Sequence, residues 1–296
     1  MITLLKRMVI RKIMLEFPEF FRFEFGVYVD LFVKWLIRNF GGFFGVLEEG
    51  ILWILLQIDN KLQLIPWWLV MIVVLILGWR LKKLSTGVIF VLMLFAVGSF
   101  GLWSLMMATL AIILTSVFIS LLLGIPMGII TAYSSKLEFI MQPLLDGMQT
   151  MPSFVYLIPA IMLFGLGRVP AVFATTIYAI APIIRLTNLG IRGVSREMVE
   201  AAHSFGSTPW QVLFKVELPQ ALPTIMTGVN QTTMMAVSMV VIASMVGAQG
   251  VGREVLQAIN KIDIARGTEA GLVIVFLAII IDRITQGVAD KLKVEE

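Results

Sequence analysis

The sequence predicts an all-α polytopic membrane protein, a bundle of about seven transmembrane helices. Three observations predict it. Of the 296 residues, 59% are hydrophobic and 14% charged, and the mean hydropathy is +0.95; a soluble domain is about 45–50% apolar and about 25% charged. The apolar residues fall in runs close to the roughly 20 needed to cross about 30 Å of hydrocarbon. Basic residues gather in alternate connections, as expected where positive charge is retained on the cytoplasmic side. A net charge of +4 on so apolar a chain reads as that orientation signal and not as a nucleic-acid surface. With no Cys and one His, thiol catalysis and most zinc sites are excluded, and no metal site is expected.

Taken in order, the chain opens on a basic stretch, Lys6, Arg7, Arg11 and Lys12. Glu16 and Pro18 interrupt it before any long apolar run, so no signal peptide is expected. Residues 27–37 and 43–58 are amphipathic, and Glu48 and Glu49 make the second a poor span. Both read as interfacial helices within an N-terminal segment, 1–62. By alternation of the spans this segment lies outside, which its basic start does not match. Two spans follow within 63–103. The first, 64–79, lies between Trp67 and Trp68 at one interface and Arg80, Lys82 and Lys83 at the other; the second is 84–103.

The core region, 104–286, holds five further spans. Span 105–133 carries Pro126 as a kink site and Gly124 and Gly128 as a close-contact pair. Span 137–165 is interrupted by Pro143, Pro152 and Pro159. The others are 169–188, 222–246 and 270–285, followed by a cytoplasmic tail, 287–296. Lys136, the group Arg185, Arg192, Arg196 and Lys215, and then Arg283, Lys291 and Lys293 share one side with Arg80. That side is the cytoplasm. The loop between the last two spans faces outward with mixed charges, among them Arg253, Glu254, Asp263 and Arg266.

Catalytic signatures are missing. No Lys follows a Gly, so there is no Walker A loop, and no G-x-S-x-G elbow is present. The glycine-rich stretch 247–252 follows a hydrophobic span and lacks the strand–turn–helix setting of a dinucleotide fingerprint. The chain therefore reads as a membrane protein without a catalytic site or an energy source of its own.

The connection 189–219 is the most informative segment. Ser195 is placed to cap a short helix with Glu197 and Glu200 near its N-terminus. Ala201 and Ala202 are small, and Gly206 ends that helix. Thr208 and Pro209 start a second helix, to which Trp210, Val212, Leu213 and Phe214 give an apolar side. Leu218 and Pro219 lead into the next span. Two short helices bent at a glycine on the cytoplasmic face suit docking in a partner's groove.

Glu200-Ala201-Ala202, three residues, Gly206, nine residues, Val216, one residue, then Leu218-Pro219 resembles the EAA loop of permease subunits of binding-protein-dependent ABC importers. The one departure is Val216, where that family usually has Ile. The stretch from Pro143 through Asp146, Gln149, Thr150, Pro152 and Tyr156 to Pro159, with Leu163 to Gly167 after it, resembles the permeases for glycine betaine, proline betaine and related compatible solutes. The resemblance implies a type I importer permease bundle, a five-helix core plus two preceding spans, in a bacterial or archaeal plasma membrane. It implies that Glu200, Ala201, Ala202, Gly206, Leu218 and Pro219 form the coupling loop that contacts the ATPase. It implies a homodimer, two copies of a cytoplasmic ATPase holding ATP and Mg, and an extracytoplasmic solute-binding protein on a separate polypeptide. This chain itself would bind no cofactor and no nucleic acid, only membrane lipid and those partners.

Polar residues inside spans face a bundle interior or water. Asp146, Gln149 and Thr150 share a helical face, Pro152 frees backbone carbonyls, and Asn230 and Thr233 belong to a polar cluster in the sixth span. These residues and Tyr156 are candidates for the translocation path; helix–helix hydrogen bonding is the equal alternative. Phe154, Tyr156, Phe164, Phe173 and Tyr178 are better read as packing or lipid-facing than as a cation–π cage. An ion-coupled secondary transporter of a small zwitterionic solute is the competing functional class, with Asp146 as its titratable candidate.

Overall fold

The computed structural model describes residues 24–294. These fall into two compact units divided between Phe44 and Gly45. Every regular element among the described residues is helical: α1 (Phe25–Leu64), α2 (Trp67–Leu81), α3 (Leu84–Ser99), α4 (Trp103–Tyr133), α5 (Ser135–Thr150), α6 (Leu157–Phe164), α7 (Arg168–Arg192), α8 (Arg196–Ser204), α9 (Pro209–Val212), α10 (Leu218–Ala243), α11 (Val251–Lys261) and α12 (Ile264–Val294). Within the first unit, Phe32 stacks on Trp35, whose ring meets Phe40 edge-on, and Lys34 pairs with Asp30 at 2.6 Å.

Four features differ from the sequence expectation. The two N-terminal amphipathic stretches are both helical and follow each other in α1 with no connecting loop, the backbone leaving helical geometry at Phe40 (φ −119°, ψ 16°). On length and composition alone α1 is long and apolar enough to cross a membrane. The basic start, Lys6 to Lys12, lies outside the described residues. The expected spans 64–79 and 84–103 are helices of only 15 and 16 residues, packed as a hairpin that turns at Lys82 and Lys83. The span over 137–165, expected to be interrupted at Pro143, Pro152 and Pro159, breaks at Pro152 alone: α5 and the stretch Ser153–Phe164 meet at 109°. Pro126, expected as a kink site, sits inside an uninterrupted α4. Of the remaining expected spans, 169–188 and 270–285 lie within α7 and α12, and 222–246 covers α10 and the 3-10 turn Ser244–Val246 that follows it.

Small residues build the centre. α7 packs most extensively on α4 and α10, and its buried face is largely Ala, Thr and Pro: Ala171, Ala174, Thr175, Ala179, Ala181 and Pro182. Between membrane helices there is no hydrophobic driving force to exploit, so close backbone approach and hydrogen bonds do the joining. Gly124 and Gly128 of α4 face Ile183 and Thr187 of α7, and a Cβ at Gly128 would lie 2.5 Å from that of Thr187. Ser116 and Ser120 donate to the carbonyls of Val172 and Thr176, each at 3.3 Å. On the other flank Gly190 meets Ala221, and Gly228 meets Ile183. Ile183, Ile191, Leu213, Ala221 and Ile225 form a buried cluster that reaches the connection 193–217, so the loop is seated on the bundle core.

Candidate functional site

The loop follows from its local chemistry. Ser195 occupies the N-cap of α8, but its side chain makes no cap hydrogen bond; its carbonyl receives the first amides, from Met198 at 3.2 Å and Val199 at 3.3 Å. This corrects the expected serine cap. The other end closes as expected. Gly206 has φ +78°, its amide donates to His203 O at 2.9 Å, and the Ser207 amide donates to Ala202 O at 3.1 Å. These are the two bonds of a Schellman closure, which requires a left-handed residue where Gly206 stands. Thr208 then opens α9 with a reciprocal capping box to Gln211 and Pro209 in the first turn. Removing this cap by Thr208→Ala is expected to destabilise by about 1 kcal/mol, read as a lower midpoint for thermal unfolding of the detergent-solubilised chain.

The surface the loop offers is only partly the one its sequence suggests. Glu200 is exposed and takes Arg196 Nε at 2.7 Å; Ala201 is exposed and Ala202 half-buried. The expected single apolar side of Trp210, Val212, Leu213 and Phe214 is split. Val212 and Leu213 are buried in the bundle, whereas Trp210 and Phe214 point outward and stack at 5.9 Å. A spacing of four puts 210 and 214 on one face and 212 and 213 on the other. Phe205 at 91% and Met198 at 48% exposure add to the outward surface, and nothing in their local sequence marked them. Leu218 is half-buried and Pro219 exposed, in the first turn of α10.

The path candidates divide into two groups. Asp146 of α5 pairs with Arg185 of α7 at 2.5 Å, and both side chains are substantially exposed, 63% and 42%. They border a cavity of about 250 Å³ that Thr131, Glu138, Gln142 and Asn188 also line. Gln149 and Thr150 are exposed on the same helix, Thr150 donating to Gly147 O at 3.1 Å. Pro152 is exposed at the break. Tyr156 is buried; its hydroxyl donates to Met148 O at 2.5 Å and its ring meets Tyr178 edge-on, so it fastens the segment beyond the break to α5. Phe164 and Phe173 also pack edge to face, at 4.9 Å. Asn230 and Thr233 do not line that cavity. Asn230 turns to α12, donating to Asp282 at 3.4 Å and accepting from Thr285, and Thr233 donates to its own helix at Val229 O.

The opposite end of the bundle is held by charge. Arg168 donates to Asp59 at 2.6 Å and to Gln249 at 2.7 Å, and Arg266 joins Glu254 and Glu269. The glycine-rich stretch 247–252 is a turn, not a cradle: the Val251 amide donates to Thr109 Oγ1 at 2.8 Å, and a side chain at Gly250 would collide with that oxygen.

Residues 124–294 match the family model described as the binding-protein-dependent transport system inner membrane component. The chain belongs to this family. The permease is 46% identical over 256 residues to the glycine betaine/proline betaine transport system permease protein ProW of Escherichia coli K12, covering 86% of this chain and 72% of that one. It is 48% identical to the glycine betaine/carnitine transport permease protein GbuB of Listeria monocytogenes, over 88% of this chain and 93% of that one. It is 44% identical to the glycine betaine transport system permease protein OpuAB of Bacillus subtilis, over 90% and 94%. In fold it resembles the MetNI methionine ABC transporter in an inward-facing conformation, with TM-score 0.58 at 22% identity over 63% of this chain and 94% of that one. It is thus a multi-pass plasma-membrane permease subunit of an ABC importer, non-catalytic, with ATPase and substrate-binding-protein partners implied by the family.

Proposed function

We propose that this permease carries glycine betaine, proline betaine or a closely similar osmoprotectant inward, as a homodimer bound to two copies of a cytoplasmic ATPase. The solute class is supported by the names of the three relatives above. The observation that carries the coupling role is the loop: a glycine-closed helix and a capped turn present exposed Glu200, Phe205, Trp210 and Phe214 while their neighbours anchor in the core. Exposed aromatics gathered on one loop mark an interaction surface. ATP and Mg belong to the partner; closing of its nucleotide sites draws on the loops and shifts the bundle between inward-open and outward-open states. An extracytoplasmic binding protein delivers the solute to the outward loops, 247–269 included.

The exposed Asp146–Arg185 pair is compatible with a dimer seam or with a water-filled path. Facing lipid, a charged side chain costs about 2.5–3.5 kcal/mol even on insertion scales. Such a pair, exposed on a single copy, belongs against water or a second copy, and that face would line the path. Asp146→Ala is expected to lower uptake about tenfold with the protein folded, whereas Asn230→Ala, a helix tie, costs about 0.6 kcal/mol of stability and leaves uptake near wild type. Uptake of labelled glycine betaine into proteoliposomes with the purified ATPase and binding protein tests both. Equal uptake by Asp146→Ala and wild type would remove the path role. Failure of the wild-type chain to bring down an ATPase would remove the whole reading.

A further inference from the structure

The loop joins α10 through a π-helical segment, Leu213–Glu217. A π turn holds one residue more than an α turn, which rotates whatever follows by about 100° relative to an unbroken helix. Here Phe214 and Lys215 stay exposed while Glu217 is carried inside, to 7% exposure. A carboxylate that far from water needs a donor. Tyr133 provides it: its phenolic hydroxyl donates to Glu217 Oε2. Tyr133 is the last residue of α4. α7 holds the same turn of α4, through Arg192 Nη2 to Thr131 O and Asn188 Nδ2 to Thr131 Oγ1, both 3.2 Å. Among the described residues, Tyr133–Glu217 is the one side-chain hydrogen bond between the stretch 196–217 and α4.

The two helices stand differently toward the loop. α10 is covalently continuous with it, so any displacement of the loop reaches α10 directly. α4 is a separate stretch of chain and follows only if a contact holds it. A hydrogen bond to a carboxylate is short and directional, hence a stiff link over a small range. An α-helical junction would turn Glu217 away from α4, so the π segment is what places the carboxylate within reach of Tyr133.

We propose that Tyr133 and Glu217 are positioning residues that make α4 move with the cytoplasmic loop, so that ATP hydrolysis in the partner is converted into solute movement. This rests on the loop being the ATPase dock, and the experiment separates the two claims. The complete transporter, permease with its ATPase and binding protein, is reconstituted and read with labelled glycine betaine. Tyr133→Phe removes one hydroxyl and keeps the ring. It is expected to lower solute moved per ATP hydrolysed about fivefold, with ATPase co-purification and unfolding midpoint as in wild type. Glu217→Gln, whose amide oxygen still accepts the phenol, is expected to keep most of the coupling. Because the chain has no Cys, spin labels at Ser204→Cys and Leu122→Cys report the loop-to-α4 distance alone. That distance is expected to stay fixed through the nucleotide cycle in wild type and to vary in Tyr133→Phe. Wild-type uptake per ATP in Tyr133→Phe, or an equally fixed distance, overturns the proposal. So does a parallel loss of stability and ATPase association with uptake per ATP unchanged, which is what a merely structural bond gives. A wild-type chain that retains no ATPase overturns the docking reading before any variant is compared.

Discussion

Gly128→Val is expected to yield little or no folded permease. The Cβ alone would stand 2.5 Å from Thr187 Cβ and 2.8 Å from the carbonyl oxygen of Ile184, and a backbone carbonyl inside α7 has nowhere to move. α4 and α7 must then separate along their whole seam. Separation also strips the Ser116 and Ser120 hydroxyls from the Val172 and Thr176 carbonyls, and buried hydroxyls left unpaired add their own cost. Overpacking of a tight core costs about 1–3 kcal/mol for a methylene or two, and here it falls on the central helix pair. Gly124→Ala is the contrast. Its nearest obstacle is Ile183 Cγ2, a side-chain methyl and not backbone, but that methyl sits on the stiff branched Cβ of a fully buried residue, so one added methyl is expected to cost less than valine at Gly128 and still to be clearly felt. Size-exclusion profiles of fluorescent fusions in mild detergent distinguish the two; a sharp monodisperse peak for Gly128→Val at wild-type yield contradicts the assignment of this seam.

Gly206→Asp is expected to leave the bundle folded and to sever it from its ATPase. No atom lies within 4 Å of the Cβ position, so nothing in the free chain collides. The cost is conformational, about 1–2 kcal/mol for a side chain at φ +78°, plus a negative charge on the turn between the Glu200 helix and the Trp210 helix. Both act on the geometry of the docking face and not on α4, α7 or α10. An association defect of at least tenfold corresponds to about 1.4 kcal/mol, within reach of that strain and charge together. Gly206→Asn, which shares the tolerance of aspartate for left-handed backbone but carries no charge, is expected to be milder. Co-purification of the ATPase and stimulation of its activity by loaded binding protein measure the effect. Wild-type transport by Gly206→Asp would count heavily against the coupling role of the loop.

What was legible in the sequence is what local chemistry decides. Gly206 and Thr208-Pro209 announce a helix end and a helix start because left-handed backbone and orphan amides have few solutions. Gly124 and Gly128 announce close packing because no other residue permits it. The three prolines of 143–159 look alike in sequence yet act differently. Pro159 sits in the first turn of α6, where its missing amide costs nothing, and Pro143 is tolerated inside α5. Only at Pro152 is the preceding residue extended, Met151 at ψ 135°, and there the chain breaks. The 109° that results is decided by what the two halves pack on, Tyr178 among it. The same holds for Glu217, whose partner is 84 residues away. Asn230 and Asp146 are both polar residues within expected spans; only tertiary structure separates the helix tie from the exposed pair.

The hairpin of α2 and α3 bears on the lipid. Its helices touch at Gly78 and Gly87, where a Cβ on Gly78 would lie 2.6 Å from the facing Cα, so they cannot slide past one another to gain reach. At 1.5 Å per residue they are about 22–24 Å long, against about 30 Å of hydrocarbon. Lys82 at the turn is held by Asp290 of α12 at 2.6 Å. The mismatch is met by local thinning of the bilayer or by snorkelling of the flanking Arg80 and Lys83, at a fraction of a kcal/mol per Å. Acyl-chain length thereby becomes a variable in the energetics of this hairpin.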